Sequence, residues 1–85
     1  MQIVYDLLPE REKAQFTREH PRGWEVLRGI ESDLSRDPYT RATALEDGRF
    51  AQIFNPEIAP PIEVRVAYFV GDKILVKVFR WLYLT

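Results

Sequence analysis

Eighty-five residues with no cysteine, a single histidine and a formal net charge of −1 at pH 7 define one small domain, residues 1–85, with no disulfide framework, no thiolate metal site and no expected zinc site. The near-neutral charge argues against a strongly basic phosphate-backbone binder, and no apolar run approaches the ~20 residues that span a bilayer. A chain of this size buries roughly 60–65% of the surface its unfolded form exposes, so its core is small and a partner or self-association would support it.

The first residues, Met1 to Asp6, lack a basic stretch ahead of an apolar one, so no secretory signal is expected. Cysteine-free composition fits a reducing compartment, and the expected location is the cytoplasm. Charge is uneven along the chain. Most acids precede residue 50, and Arg65 to Arg80 is mildly basic.

Ile3, Tyr5 and Leu7 alternate, which predicts a short first strand. Pro9 suits the first turn of a helix, where its missing N–H is no loss, and Glu10 to Glu19 reads as a short polar helix. Its alternating charges read as a solvated face with local ion pairs. His20-Pro21-Arg22-Gly23 is a turn, with His20 read as an exposed loop residue. Trp24, Leu27, Ile30 and Leu34 recur at helical spacing and are the expected core stripe of a second helix, which Pro38 ends. Tyr39 to Gly48 reads as a connector. Arg49 to Phe54 reads as a strand, with Phe50, Gln52 and Phe54 on one side and Ala51 and Ile53 on the other. Asn55-Pro56 and Pro60-Pro61 bound a rigid loop.

The last third reads as a long β-hairpin. Val64, Val66, Tyr68 and Val70 share one face, as do Ile74, Val76 and Val78. A two-residue turn would put these sets on opposite faces. A three-residue Gly71-Asp72-Lys73 turn with a glycine-permitted bulge pairs Val70 with Ile74 and brings them together, and is preferred. The other face then carries Arg65, Ala67 and Phe69 beside Leu75, Lys77, Phe79, Trp81 and Tyr83, while Arg80 ends the core-side row. The expected fold is α+β: an antiparallel-dominated sheet in the order β-α-α-β-β-β, with an N-terminal αα-hairpin packed on one face and the other face partly open.

Arg65-Val66-Ala67-Tyr68-Phe69-Val70, Phe79-Arg80-Trp81-Leu82-Tyr83 and the opening Tyr5-Asp6-Leu7-Leu8-Pro9 resemble strand and terminal patterns of the RelE/ParE superfamily of bacterial type II toxins, in its RelE- and YoeB-like branch. The resemblance implies a toxin of a toxin–antitoxin pair, with a cognate antitoxin as partner and ribosome-bound mRNA as substrate of an endonuclease that uses no cofactor. Such chemistry needs a base for the 2′-hydroxyl, a cation for the developing phosphorane charge and an acid for the leaving oxygen. The resemblance assigns Arg65 to phosphate stabilisation and Tyr83 to catalysis, with Arg49, Lys77 and Arg80 as nucleic-acid contacts. The acid–base set is incomplete. Leu82 stands where YoeB-like members carry a histidine, and Thr43 where they carry a carboxylate.

Other readings of these residues stand beside it. Arg65 can be a surface strand arginine paired with Glu63 or Glu57. Tyr83 and Trp81 can pack against the sheet or a partner. On the same fold, a ParE-like inhibitor of DNA gyrase, or a relative without toxicity, would need no acid–base set. An unrelated α+β subunit could form a homodimer through an exposed row of Phe69, Phe79 and Trp81.

Overall fold

The computed structural model describes residues 1–84. The chain runs β1 (Ile3–Tyr5), α1 (Leu7–Glu19), α2 (Gly23–Arg36), β2 (Thr43–Ala44), β3 (Phe50–Phe54), β4 (Ile62–Val70) and β5 (Ile74–Tyr83). The strands form one sheet in the order β1-β5-β4-β3-β2. The fold is α+β, as expected, but the sheet is mixed. β1 lies parallel to β5, while the other three pairings are antiparallel. β2, a strand within the expected connector, is also an addition to the expected order. It folds back on β3 through a turn in which Gly48 adopts φ +88°, a left-handed conformation that favours glycine.

Asp6 caps α1 by accepting from the Leu7 N–H, and Pro9 sits in the first turn. The helix therefore begins earlier than the polar stretch from Glu10. α1 buries Pro9 and Phe16. α2 buries Gly23, Val26, Leu27, Ile30 and Leu34. Trp24, expected in the core, is 63% exposed. The reason lies one residue earlier. A Cβ on Gly23 would stand 2.8 Å from the Phe16 carbonyl oxygen and 2.9 Å from the Thr17 Cα. The two helices meet at this bare backbone. With Gly23 turned inward, Val26 joins the buried stripe and Trp24 faces solvent.

The core lies between the two helices and one face of the sheet, with Tyr68, Phe16, Phe79 and Leu34 its largest fully buried side chains. The hairpin turn is the three-residue one, pairing Val70 with Ile74. Phe50, Gln52 and Phe54 share one side of β3, as read from the sequence, and that side is the core side.

Beyond the turn the register changes. Tyr68 pairs with Val76, but Ala67 pairs with Val78, so Lys77 is an extra residue in β5. Such a bulge inverts the parity of everything after it. Phe79 is fully buried and Trp81 packs on the core, whereas the sequence reading put both on the open face. Val78 and Arg80 leave the core side. An apolar dimer surface made of Phe69, Phe79 and Trp81 is thereby overturned, since only Phe69 of the three is exposed.

Candidate functional site on the open sheet face

No described element covers the face of the sheet opposite the helices. Register places Ile53, Ala67, Phe69, Leu75, Val78 and Leu82 on it as an apolar field. Ile53 is 59% exposed and Leu82 43%. Within that field Arg65 and Arg80 are direct cross-strand partners. Like charges set opposite each other on adjacent strands repel, so each arginine needs an anion.

Each finds one. Arg65 donates from Nε to Glu63 Oε2 at 2.6 Å, which selects Glu63 over Glu57 as its carboxylate. Arg80 lies 3.5 Å from Glu12 Oε2, a looser contact reaching α1 past the free edge of β5. Both guanidinium groups stay mostly exposed. The remaining N–H donors of the pair can grip a carboxylate or phosphate from outside, the geometry for which arginine is suited.

The sequence-predicted residues separate into three places. Arg65 and Arg80 come together. Lys77 stands on the bulge and binds Asp6 at 2.6 Å, closing β5 onto the cap of α1. That lysine and the Leu7 N–H hold the Asp6 carboxyl below the ordinary aspartate range. Arg49 is engaged with Asp47 in the β2–β3 turn. The Arg49 backbone N–H is the main reason the Asp47 carboxyl is lowered as well.

Tyr83 lies behind the sheet. It pairs with buried Ile62, on the helix side, and stacks on the His20 ring with centroids 6.0 Å apart. Trp81 meets Tyr83 edge-on and packs on Phe16. The two residues assigned to catalysis therefore stand on opposite faces, and Tyr83 cannot exchange a proton with a group held at Arg65.

His20, expected to be an exposed loop residue, is 2% exposed. Its Nδ1 accepts from the Arg22 N–H at 2.9 Å, so Nε2 carries the proton and donates to the Pro60 carbonyl, also at 2.9 Å. One ring thus ties the helix–helix turn to the loop before β4 and to the end of β5. A second buried polar chain runs from Gln52 Nε2 to the Tyr68 hydroxyl and on to the Pro38 carbonyl. Burial raises the pKa of Tyr68. Tyr5 donates to Glu31 at 2.6 Å, and burial followed by that carboxylate raises its pKa. These hydroxyls hold the fold together and do not face the open surface.

A concavity of about 520 Å³ runs between α2 and β3, with Val26, Gly29, Ile30, Arg41, Gln52 and Phe54 among its lining. β2 covers β3 only at Phe50 and Ala51, so Gln52 to Phe54 present a free edge to it. Among the described residues no group of three His, Cys, Asp or Glu side chains is arranged to hold a metal ion, and no helix is long and apolar enough to cross a membrane. Comparison of the chain with protein-family models, with curated proteins and with solved structures finds no match.

Proposed function

We propose that the chain is a partner-binding protein of RelE/ParE-like architecture, the toxin of a type II toxin–antitoxin pair, which acts by protein contact rather than by cutting RNA. The observation that carries this reading is the separation of Arg65 from Tyr83 by the sheet. A phosphate-gripping arginine pair whose neighbouring carboxylates, Glu63 and Glu12, are already ion-paired with it can bind, but with no tyrosine or histidine beside it the leaving oxygen that strand cleavage creates has no acid to protonate it. Arg65 and Arg80 in an apolar field instead have the composition of a protein contact, where arginine anchors are over-represented. The target would be a protein such as DNA gyrase, as for ParE-like members. A cognate antitoxin would add a strand to the free edge of β3 and fill the groove beside α2, since exposed edges invite strand addition.

The mRNA endonuclease reading is favoured by one observation, the facing of Arg65 and Arg80, which suits a phosphodiester. The test is induction of the wild type, Arg65→Ala/Arg80→Ala and Tyr83→Phe in a bacterium, following growth, mRNA integrity and plasmid supercoiling. Growth arrest with intact mRNA, lost in the double variant and kept in Tyr83→Phe, is expected. Rapid mRNA cleavage that depends on Tyr83 would overturn the contact reading. Arrest that survives loss of both arginines would remove the open face from the account.

A further inference from the structure

The outward surface of the helical hairpin, on the far side of the molecule from the open sheet face, carries a separate pattern. Seven of the twelve Lys and Arg side chains are ion-paired. Among the described residues, Arg11, Arg18 and Arg28 on the two helices are not, and all three are exposed.

The cause is local. All six acidic side chains of α1 and α2 are engaged elsewhere: Glu10 with Lys13, Glu12 with Arg80, Glu19 with Gln15, Glu25 with Arg22, Glu31 with Tyr5 and Asp33 with Arg36. The hairpin from Leu7 to Arg36 carries six acidic and six basic side chains, yet Arg11, Arg18 and Arg28 are left without a carboxylate partner.

Helical spacing puts these arginines together. Arg11 and Arg18 are two turns apart on α1, about 10 Å along the axis, and point away from the buried Pro9–Phe16 side. Trp24 and Arg28 are one turn apart on α2 and point away from Val26, Ile30 and Leu34. Gly23 rests on Phe16 and Thr17, so the returning helix brings Trp24 to a level between Arg18 and Arg11, and Arg28, about 6 Å further along, near the level of Arg11. Three guanidinium groups outside every ion pair thus share this outer surface with a 63% exposed indole, and Leu7, 68% exposed, extends the Arg18–Arg11 row at its Arg11 end.

We infer that this surface docks an acidic amphipathic helix from a partner protein. Two carboxylates seven residues apart on such a helix would stand about 10 Å apart, matching the Arg18 and Arg11–Arg28 positions. An apolar side chain between them would cover Trp24. Arg and Trp are the side chains over-represented at protein hot spots, and carboxylate pairing by arginine is bidentate. A nucleic-acid strand fits less well, because a polyphosphate partner calls for a basic footprint and this chain carries a net charge of −1.

The test uses the full chain. A displayed library of randomised helical peptides is selected on the wild type and counter-selected on the Arg11→Glu/Arg18→Glu/Arg28→Glu variant, whose unchanged circular dichroism and Tm establish that it is folded. Enriched peptides should carry acidic residues two turns apart around an apolar one. They should bind at least ~10-fold more weakly to the triple variant and to Trp24→Ala, and shift the Trp24 indole resonance but not that of Trp81. The inference is overturned if no peptide depends on the three arginines, or if the enriched peptides lack acidic residues. It is also overturned if a 20-nucleotide oligoadenylate binds the same arginines more tightly than any selected peptide, which would make this an RNA-binding surface. None of these outcomes depends on whether the protein inhibits growth.

Discussion

The bulge at Lys77 makes neighbouring residues of β5 energetically unlike, and that contrast can be measured. Phe79 is fully buried, with its ring 5.8 Å from that of Phe16 and 6.5 Å from that of Tyr5. Val78 is one residue away and faces the open side, half-buried. Truncating a buried phenylalanine to alanine removes its transfer free energy and leaves a cavity, together about 3–5 kcal/mol. An 85-residue domain has roughly 4–13 kcal/mol of total stability at ~0.05–0.15 kcal/mol per residue. Phe79→Ala therefore removes a large share of it. At about 4 °C or more per kcal/mol, Tm should fall by at least ~12 °C. Val78→Ala, at a site that stays partly wet, should cost less than about 1 kcal/mol. Urea unfolding followed by tryptophan fluorescence gives both values, and an unchanged m value shows that the denatured state has not altered. Without the bulge the order would reverse, with Val78 inside and Phe79 outside. Equal losses, or a larger loss at Val78, would refute the register and with it the placement of Arg80 beside Arg65.

His20→Ala leaves the Pro60 carbonyl and the Arg22 N–H without their partner and removes the stacking on Tyr83, so about 2–5 kcal/mol should be lost in urea unfolding. A loss below about 1 kcal/mol would mean that water replaces the ring without penalty. Gly23→Ala places a Cβ against the Phe16 and Thr17 backbone, and a destabilisation of roughly 1–3 kcal/mol is expected where an exposed glycine-to-alanine change in a helix would instead stabilise. The Asp6 carboxyl is held below its unfolded-state value by Lys77 and the Leu7 N–H. Its contribution is therefore fully present above the unfolded value near ~3.9 and lost as pH falls through the folded one. The stability gap between wild type and Asp6→Asn should accordingly narrow from pH 6 towards pH 2, and narrow in salt because the pair is exposed; a gap independent of pH would show that Lys77 and Asp6 do not interact in solution.

What the sequence made legible follows from how local each signal is. The helical hairpin and its ending at Pro38 rest on spacing and on a proline, and both appear in the structure. The three-residue turn followed from one parity argument over residues close in sequence. Trp24 was misplaced because a 3–4 spacing fits more than one face of a helix, and the choice was made by Gly23 meeting the backbone of another helix. His20 was misplaced because its carbonyl partner is 40 residues away. The bulge left only an indirect trace. Continuing the parity of Val76 put Arg80 in the core row and the aromatic Phe79 and Trp81 outside it, an arrangement in which burial and polarity disagree.

That disagreement bears on function as much as on fold. In an unbroken β5, Tyr83 would share a face with Arg65, and Arg80 would lie behind the sheet. The extra residue exchanges them. Arg80 becomes the cross-strand partner of Arg65, while Tyr83 joins His20 and Trp81 in an aromatic cluster that closes the core. One bulged residue thus converts a face with an arginine and a phenol, the beginnings of an acid–base site, into a face with two arginines whose only titratable neighbours are the carboxylates paired with them. Drawing Lys77 into the ladder in register would restore that parity, but it would also expel Phe79 and Trp81 from the core, at an expected cost of several kcal/mol from a total of roughly 4–13. The packing of Phe79 and Trp81 against Phe16 therefore opposes the arrangement that would place Tyr83 beside Arg65.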